Sequence, residues 1–137
     1  MRYSIRLAHP DQVFRASHAI RYVSGGTEDL HEHTFRVVLT IFGPLNGAGY
    51  VVDFVAASRI LRTVLGTNAG KIFRPEPRGE EAINPPGNPT AETLARSIVL
   101  SFYDLAIREH LLSEPVDRYR CKLELEEEPG MWAVVET

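Results

Sequence analysis

Two histidines, His31 and His33, open an alternating run, Thr34-Phe35-Arg36-Val37-Val38-Leu39-Thr40-Ile41-Phe42. Side chains of an extended strand alternate between faces, so the two imidazoles project from the same face. That spacing lets both reach one metal ion. A third histidine, His18, ends another alternating run, Val13-Phe14-Arg15-Ala16-Ser17-His18. Three histidine ligands with no fourth protein ligand is the pattern of a catalytic zinc site, which keeps one position open for water or substrate. The plain alternative is a set of half-buried polar residues on a strand face, and a His-x-His pair alone does not decide between the two.

Glu127 is the second residue of chemical interest. It falls in phase with Cys121, Leu123 and Leu125, the apolar side of the alternating run Arg118–Glu127. An ionised carboxylate on that face needs a partner, because burying an unpaired charge is costly. A hydrogen-bonding ligand would supply one; a strand-end glutamate reaching solvent would not need one. Asp53 and Thr90 each stand directly before a helical pattern and read as N-caps. His110 falls near the end of the second helix, where a histidine offsets the helix dipole.

The elements that hold these residues follow from periodicity. Residues 3–8 and 12–20 read as one strand or a hairpin, interrupted at Pro10-Asp11. Ser24-Gly25-Gly26-Thr27 marks a turn in a loop over 21–30, and Asn46-Gly47 marks another. Tyr50-Val51-Val52-Asp53-Phe54 reads as a short strand. Helical spacing of Phe54, Ala57, Ile60, Leu61, Val64 and Leu65 predicts a helix over 54–65. Residues 66–88 carry four glycines and four prolines and read as a long loop serving as a lid, a binding loop or a subunit contact. A second helix runs from Thr90 to about 110. Pro129-Gly130 turns the chain into a last strand, Met131–Val135. On the other sheet face stand Arg15, Arg36, Lys122, Glu124 and Glu126. That face is either solvated or lines a barrel formed by several subunits, which would also remove the sheet edges.

Length and composition set the bounds. A chain of 137 residues, 44% hydrophobic and 24% charged, reads as a single globular domain over 1–137. A net charge of -3 gives no basic excess for nucleic acid or an anionic membrane. No apolar run approaches the roughly 20 residues that span a bilayer. The N-terminus lacks a signal-peptide core, and the single cysteine, Cys121, fits a reducing cytoplasm.

The element order strand, strand, helix, helix, strand, strand carries five motifs in sequence. They are Phe14-x-Ala16-x-His18, Leu30-His31-x-His33, Gly49-Tyr50-Val51-Val52-Asp53-Phe54, Asn88-Pro89-Thr90-x-Glu92 and Glu127-x-Pro129-x-x-Trp132-Ala133. Together they resemble the 6-pyruvoyltetrahydropterin synthase family, which includes the 6-carboxytetrahydropterin synthases of queuosine biosynthesis. The resemblance implies an α+β tunnelling fold, a four-stranded antiparallel sheet with two helices on one face. It also implies a homohexamer, a dimer of trimers, with active sites between subunits. His18, His31 and His33 match the Zn2+ ligands. Glu127 matches the glutamate that grips the pterin, where a carboxylate accepts two parallel hydrogen bonds. Thr90 lies in a motif that lines the same pterin site.

Two departures stand out. The family's cysteine base before the His-x-His is absent, and the segment here is Ser24-Gly25-Gly26-Thr27-Glu28-Asp29-Leu30. The Glu-x-Leu-His-x-His form resembles a branch in which glutamate replaces that cysteine. That branch cleaves dihydroneopterin-type side chains to give 6-hydroxymethyldihydropterin for folate synthesis. Glu28 is then the candidate catalytic base; otherwise it is an exposed loop residue. The family's Leu-Asp-His segment is replaced by Leu65-Gly66-Thr67-Asn68-Ala69-Gly70-Lys71, so both titratable groups of the usual proton relay are missing. The expected function is a zinc-dependent lyase acting on the side chain of a 7,8-dihydroneopterin-type substrate. The alternative is a paralogue that binds zinc and pterin without the usual synthase activity.

Overall fold

The computed structural model describes residues 1–75 and 87–137. The strands are β1 (Tyr3–Leu7), β2 (Val13–His18), β3 (His31–Gly43), β4 (Ile72–Phe73), β5 (Arg120–Glu128) and β6 (Met131–Glu136). The helices are α1 (Phe54–Asn68) and α2 (Ala91–Arg108), and a single 3-10 turn covers Val116–Arg118. The fold is α+β, with both helices packed against a mostly antiparallel sheet. Among the described residues no helix is long and apolar enough to cross a membrane.

Among the described residues the expected four strands become six, ordered β4-β2-β3-β5-β6, with β1 also on β3. One addition comes from the break at Pro10-Asp11. β1 pairs with the far half of β3 and β2 with its near half, so both lie along one long partner. Leu7 pairs with Leu39 and Val13 with Arg36. The chain thus spends six residue steps where β3 spends three. An odd surplus changes which residues face the core: Ile5 and Leu7 in β1, then Phe14, Ala16 and His18 in β2.

Gln12 plugs this break. Its side chain is 2% exposed, and Nε2 donates to Leu7 O at 2.8 Å and to Val37 O at 2.9 Å. Its own carbonyl accepts from Val37 N at 2.8 Å. The break therefore leaves these buried carbonyls partnered, as a buried backbone requires.

The other addition is β4, inside the expected 66–88 loop. Ile72 and Phe73 pair in parallel with Ser17 and His18. α1 also runs on to Asn68 rather than ending at 65, because Thr67 Oγ1 and Asn68 Nδ2 both donate to Val64 O. The part of that loop over 76–86 lies outside the described residues.

Two further expectations are corrected. Residues 50–53 form no strand. Val51 and Val52 are both buried, which the alternation of a one-sided strand does not allow, and they pack into the core below α1. His110 lies beyond α2, with φ 58, so Arg108 is the cation of the last turn. The N-caps are as expected: Asp53 accepts from Val55 N and Thr90 from Thr93 N.

The core lies between the helices and one sheet face. Phe35, Val37, Leu39 and Ile41 of β3 and Cys121, Leu123 and Leu125 of β5 are fully buried there. They meet Ala57, Ile60, Leu61 and Val64 of α1 and Leu94, Ile98, Val99 and Phe102 of α2. The same face of β3 carries His31 and His33 at its near end.

Candidate metal centre

His18, His31 and His33 converge at the rim where β2 and β3 begin to part. His18 pairs directly with His31 across the two strands, and Ala16 pairs with His33. One nitrogen from each ring lies within 4.8 Å of the other two. His18 is 1% exposed and His33 half-buried, while His31 stands nearer the surface. Phe35 packs edge-on against both His18 and His33 and walls the cluster off from the core.

Hydrogen bonds on the outer nitrogens orient the rings. His18 Nδ1 lies 2.8 Å from Pro89 O, and His31 Nδ1 lies 2.8 Å from Asp29 O. A carbonyl only accepts, so each Nδ1 carries the proton and each Nε2 turns a lone pair inward. This is the usual outer-shell arrangement for histidine ligands. His18 Nε2 and His33 Nε2 are buried and lack a hydrogen-bond partner. Orphaned buried ring nitrogens facing one another are costly unless a cation lies between them. The donor set therefore fits a divalent metal of the zinc type, with three imidazole nitrogens and room for another ligand.

Two carboxylates flank the cluster. Glu28 Oε1 lies 3.9 Å from His18 Nε2 and 3.7 Å from His31 Nε2. Glu127 Oε1 lies 3.0 Å from His18 Nε2 and 3.9 Å from His33 Nε2. The 3.0 Å approach lacks hydrogen-bond geometry at His18 Nε2, and with Nδ1 holding the proton it sets lone pair against lone pair. A bridging cation relieves that contact as well. Burial holds the His33 pKa below the ordinary 6.5; Glu127 opposes the shift, and His18 and His31 add to it. A lowered histidine pKa favours the neutral, ligating form.

Each carboxylate has a structural reason to be there. Glu127 is the extra residue of a β-bulge: Glu126 pairs with Trp132 and Glu128 with Met131, leaving Glu127 unmatched. Bulges of this kind re-aim side chains next to active sites. Glu28 closes a small hairpin that extends beyond the β2–β3 pair. Glu28 N donates to Ile20 O at 2.9 Å, Arg21 bridges Thr27, and Tyr22 N donates to Gly26 O at 2.7 Å. Gly25 takes the turn at φ 99, a conformation that suits glycine. Ile20 N in turn donates to Glu28 Oε1 at 3.0 Å, folding the carboxylate back toward the cluster.

All three expected histidines, Glu28 and Glu127 thus come together. Thr90 stands next to Pro89, whose carbonyl meets His18, but the Thr90 hydroxyl serves as the α2 cap. Glu32 points to the opposite face and pairs with Arg15. Cys121 is far along β5, and burial pushes its thiol up to about 12, so it cannot stand in for a reactive cysteine. The Leu65–Lys71 segment completes α1 and turns into β4; Gly70 N donates to Arg15 O and Lys71 O accepts from Ser17 N. One residue that periodicity does not mark is Asn88. Its Oδ1 accepts from Arg21 N at 2.8 Å and its Nδ2 donates to Arg21 O at 2.9 Å. The visible signal is the Asn88-Pro89-Thr90-x-Glu92 motif, which the family resemblance places at the pterin site without giving Asn88 a role of its own.

Comparisons with known proteins agree with this geometry. The chain superposes on 6-pyruvoyl tetrahydropterin synthase from Plasmodium vivax with a TM-score of 0.83 at 18% identity, covering 100% of this chain and 98% of that one. For the Plasmodium falciparum synthase the TM-score is 0.78 at 18% identity, covering 99% and 98%. For the Caenorhabditis elegans synthase it is 0.67 at 14% identity, covering 100% and 96%. Two further Plasmodium vivax structures carry alanine and cysteine in place of a glutamate described as a catalytic residue. No curated protein matches the chain in sequence. At these identities the superpositions speak for the fold. A family model described as 6-pyruvoyl tetrahydropterin synthase matches residues 9–137. The chain belongs to the 6-pyruvoyl tetrahydropterin synthase family.

Proposed function

We propose that the chain is a zinc-dependent lyase acting on the side chain of a 7,8-dihydroneopterin-type pterin, with Glu28 as the base. The observation that carries this reading is the inward-facing Nε2 set of His18, His31 and His33 with the Glu28 carboxylate 3.7–3.9 Å away. His18, His31 and His33 would hold the zinc, which would supply Lewis acidity to lower the pKa of a substrate hydroxyl or to polarise a carbonyl.

Glu28 takes the proton from the substrate side chain. The Ile20 N–H holds Glu28 Oε1, the oxygen that lies 3.7–3.9 Å from His31 and His18 Nε2, and so keeps the carboxylate beside the cluster. General-base catalysis contributes about 10²–10⁴ in rate, so a single carboxylate is enough to matter without the missing Asp-His pair. Glu127 accepts from adjacent N–H groups of the pterin, which releases it from the His18 contact. Thr90 lies beside Pro89 and lines the same end of the site. A catalytic glutamate in the Plasmodium vivax synthase supports the choice of Glu28.

Assembly as a hexamer, a dimer of trimers, belongs to the same proposal. β6 ends the sheet path, and its Met131, Trp132 and Val134 are 62%, 38% and 51% exposed. An exposed apolar edge of this kind favours pairing with another copy. Light scattering of the zinc-loaded protein gives the mass; a monomer overturns this part.

The decisive experiment incubates zinc-loaded protein with 7,8-dihydroneopterin and with its triphosphate, and identifies the pterin products by chromatography. 6-Hydroxymethyldihydropterin supports cleavage with Glu28 as base. Loss of turnover in Glu28→Gln with zinc retained completes the case. Both substrates recovered intact would favour a zinc- and pterin-binding paralogue.

A further inference from the structure

We infer that Asn88 is the positioning residue for Glu28, its side-chain amide acting in place of a neighbouring strand; this rests on the reading of Glu28 as base. The hairpin 20–28 projects past the β2–β3 ladder. Ile20 and Tyr22 turn their backbone groups inward, to Glu28 and Gly26. Arg21, between them, turns its N–H and C=O outward. The Asn88 carboxamide meets both, at 2.8 and 2.9 Å. Only a primary amide offers an acceptor and a donor side by side in this way.

Asn88 is itself held from behind. Its carbonyl accepts from Thr93 Oγ1 at 2.6 Å and from Thr90 N at 2.9 Å, at the start of α2. The next residue, Pro89, supplies the carbonyl that fixes the His18 ring. One short segment therefore sets two things: the metal ligand through a backbone oxygen, and the base-bearing hairpin through a side chain. The two are separable by mutation. Truncating Asn88 leaves the Pro89 carbonyl in place and frees only the hairpin.

The test compares zinc-loaded wild type with Asn88→Ala, Glu28→Gln and the double variant. Misplacing a catalytic group by about 1 Å costs on the order of 100-fold in rate, so Asn88→Ala should lower kcat by about 10–100-fold. Zinc content and KM should stay near wild type. In the double variant the Asn88→Ala loss should vanish, because position no longer matters once the base is gone. Additive losses, a parallel loss of zinc, or an unchanged kcat in Asn88→Ala would overturn the inference. An unchanged kcat in Glu28→Gln instead removes Glu28 as base. In that case, or if neither pterin turns over, the visible absorption of cobalt(II)-substituted protein decides. Asn88→Ala and Glu28→Gln should then shift the band, and the double variant no further than Glu28→Gln alone. Independent shifts, or none with Asn88→Ala, would overturn the inference.

Discussion

Replacing Gln12 with alanine removes the donor that two buried carbonyls share. Leu7 O and Val37 O each lose a hydrogen bond of 2.8–2.9 Å at a residue only 2% exposed. A buried acceptor left without its partner costs about 1–3 kcal/mol. Some of that is recovered where water enters or another donor swings in, so a total of about 3 kcal/mol is expected. Unfolding entropy near 60 °C is about 2.1 cal/mol/K per residue. Over 137 residues that converts the loss into a fall in Tm of about 10 °C. Urea unfolding followed by Trp132 fluorescence and calorimetry of the metal-free protein measure it independently. Gln12→Glu sharpens the test. Its carboxylate would face the same two carbonyls, so its folded pKa is raised above the unfolded value of about 4.3. Its stability is then greatest below pH 4.3 and is lost as pH rises through the folded pKa, on the order of several kcal/mol. A Tm drop under about 3 °C for Gln12→Ala would refute the reasoning, since it would mean that the break satisfies its carbonyls without the side chain.

Other outcomes follow from the site. His31→Ala should abolish stoichiometric zinc binding, measured by metal analysis after dialysis, while the apo fold survives because His31 lies at the rim. Glu127→Ala should weaken binding of a dihydropterin at least tenfold by fluorescence titration while zinc is retained; unchanged affinity would remove Glu127 from pterin recognition. The lowered His33 pKa gives the metal-free protein stability that is present above pH 6.5 and lost as pH falls through the lower folded value. Tm of the apo protein between pH 7 and 5 should therefore fall more steeply than in His33→Gln. Cys121, with its thiol pushed up to about 12, should resist a thiol reagent at pH 8 in the native state and react fully in urea.

The sequence made the candidate ligands legible because they lie on strands, where a period of two reports the face directly. His18, His31 and His33, together with Phe35 and Leu125, needed only alternation to be placed. Glu127 was in phase, but the bulge that leaves it unpaired with β6 depends on register with Trp132 and Met131, which one strand cannot reveal. The strand expected at 50–53 failed for a related reason. Two consecutive buried valines fit a core plug as well as a strand buried on both faces, and tertiary packing made the choice. β4 was hidden because two residues carry no measurable period. Asn88 was hidden because its role depends on a hydrogen bond to a residue 67 positions away.

The surplus of residues between β1 and β2 has a consequence for which length changes this chain can accept. Residues 8–12 look like an ordinary surface turn, where insertions and deletions are usually tolerated. Here the pairs His18–His31 and Ala16–His33 hold the face of each β2 residue, and Gln12 holds the break. A length change absorbed within residues 8–11, with β3 pairing kept, leaves the three histidines together and is felt only in the fit of Gln12 against Leu7 O and Val37 O. A change that instead slides β2 along β3 moves His18 off His31 by the number of residues slid, odd or even, and breaks up the cluster. Tolerance at this remote turn is thus decided by where the change is absorbed: in the loop, or in the strand.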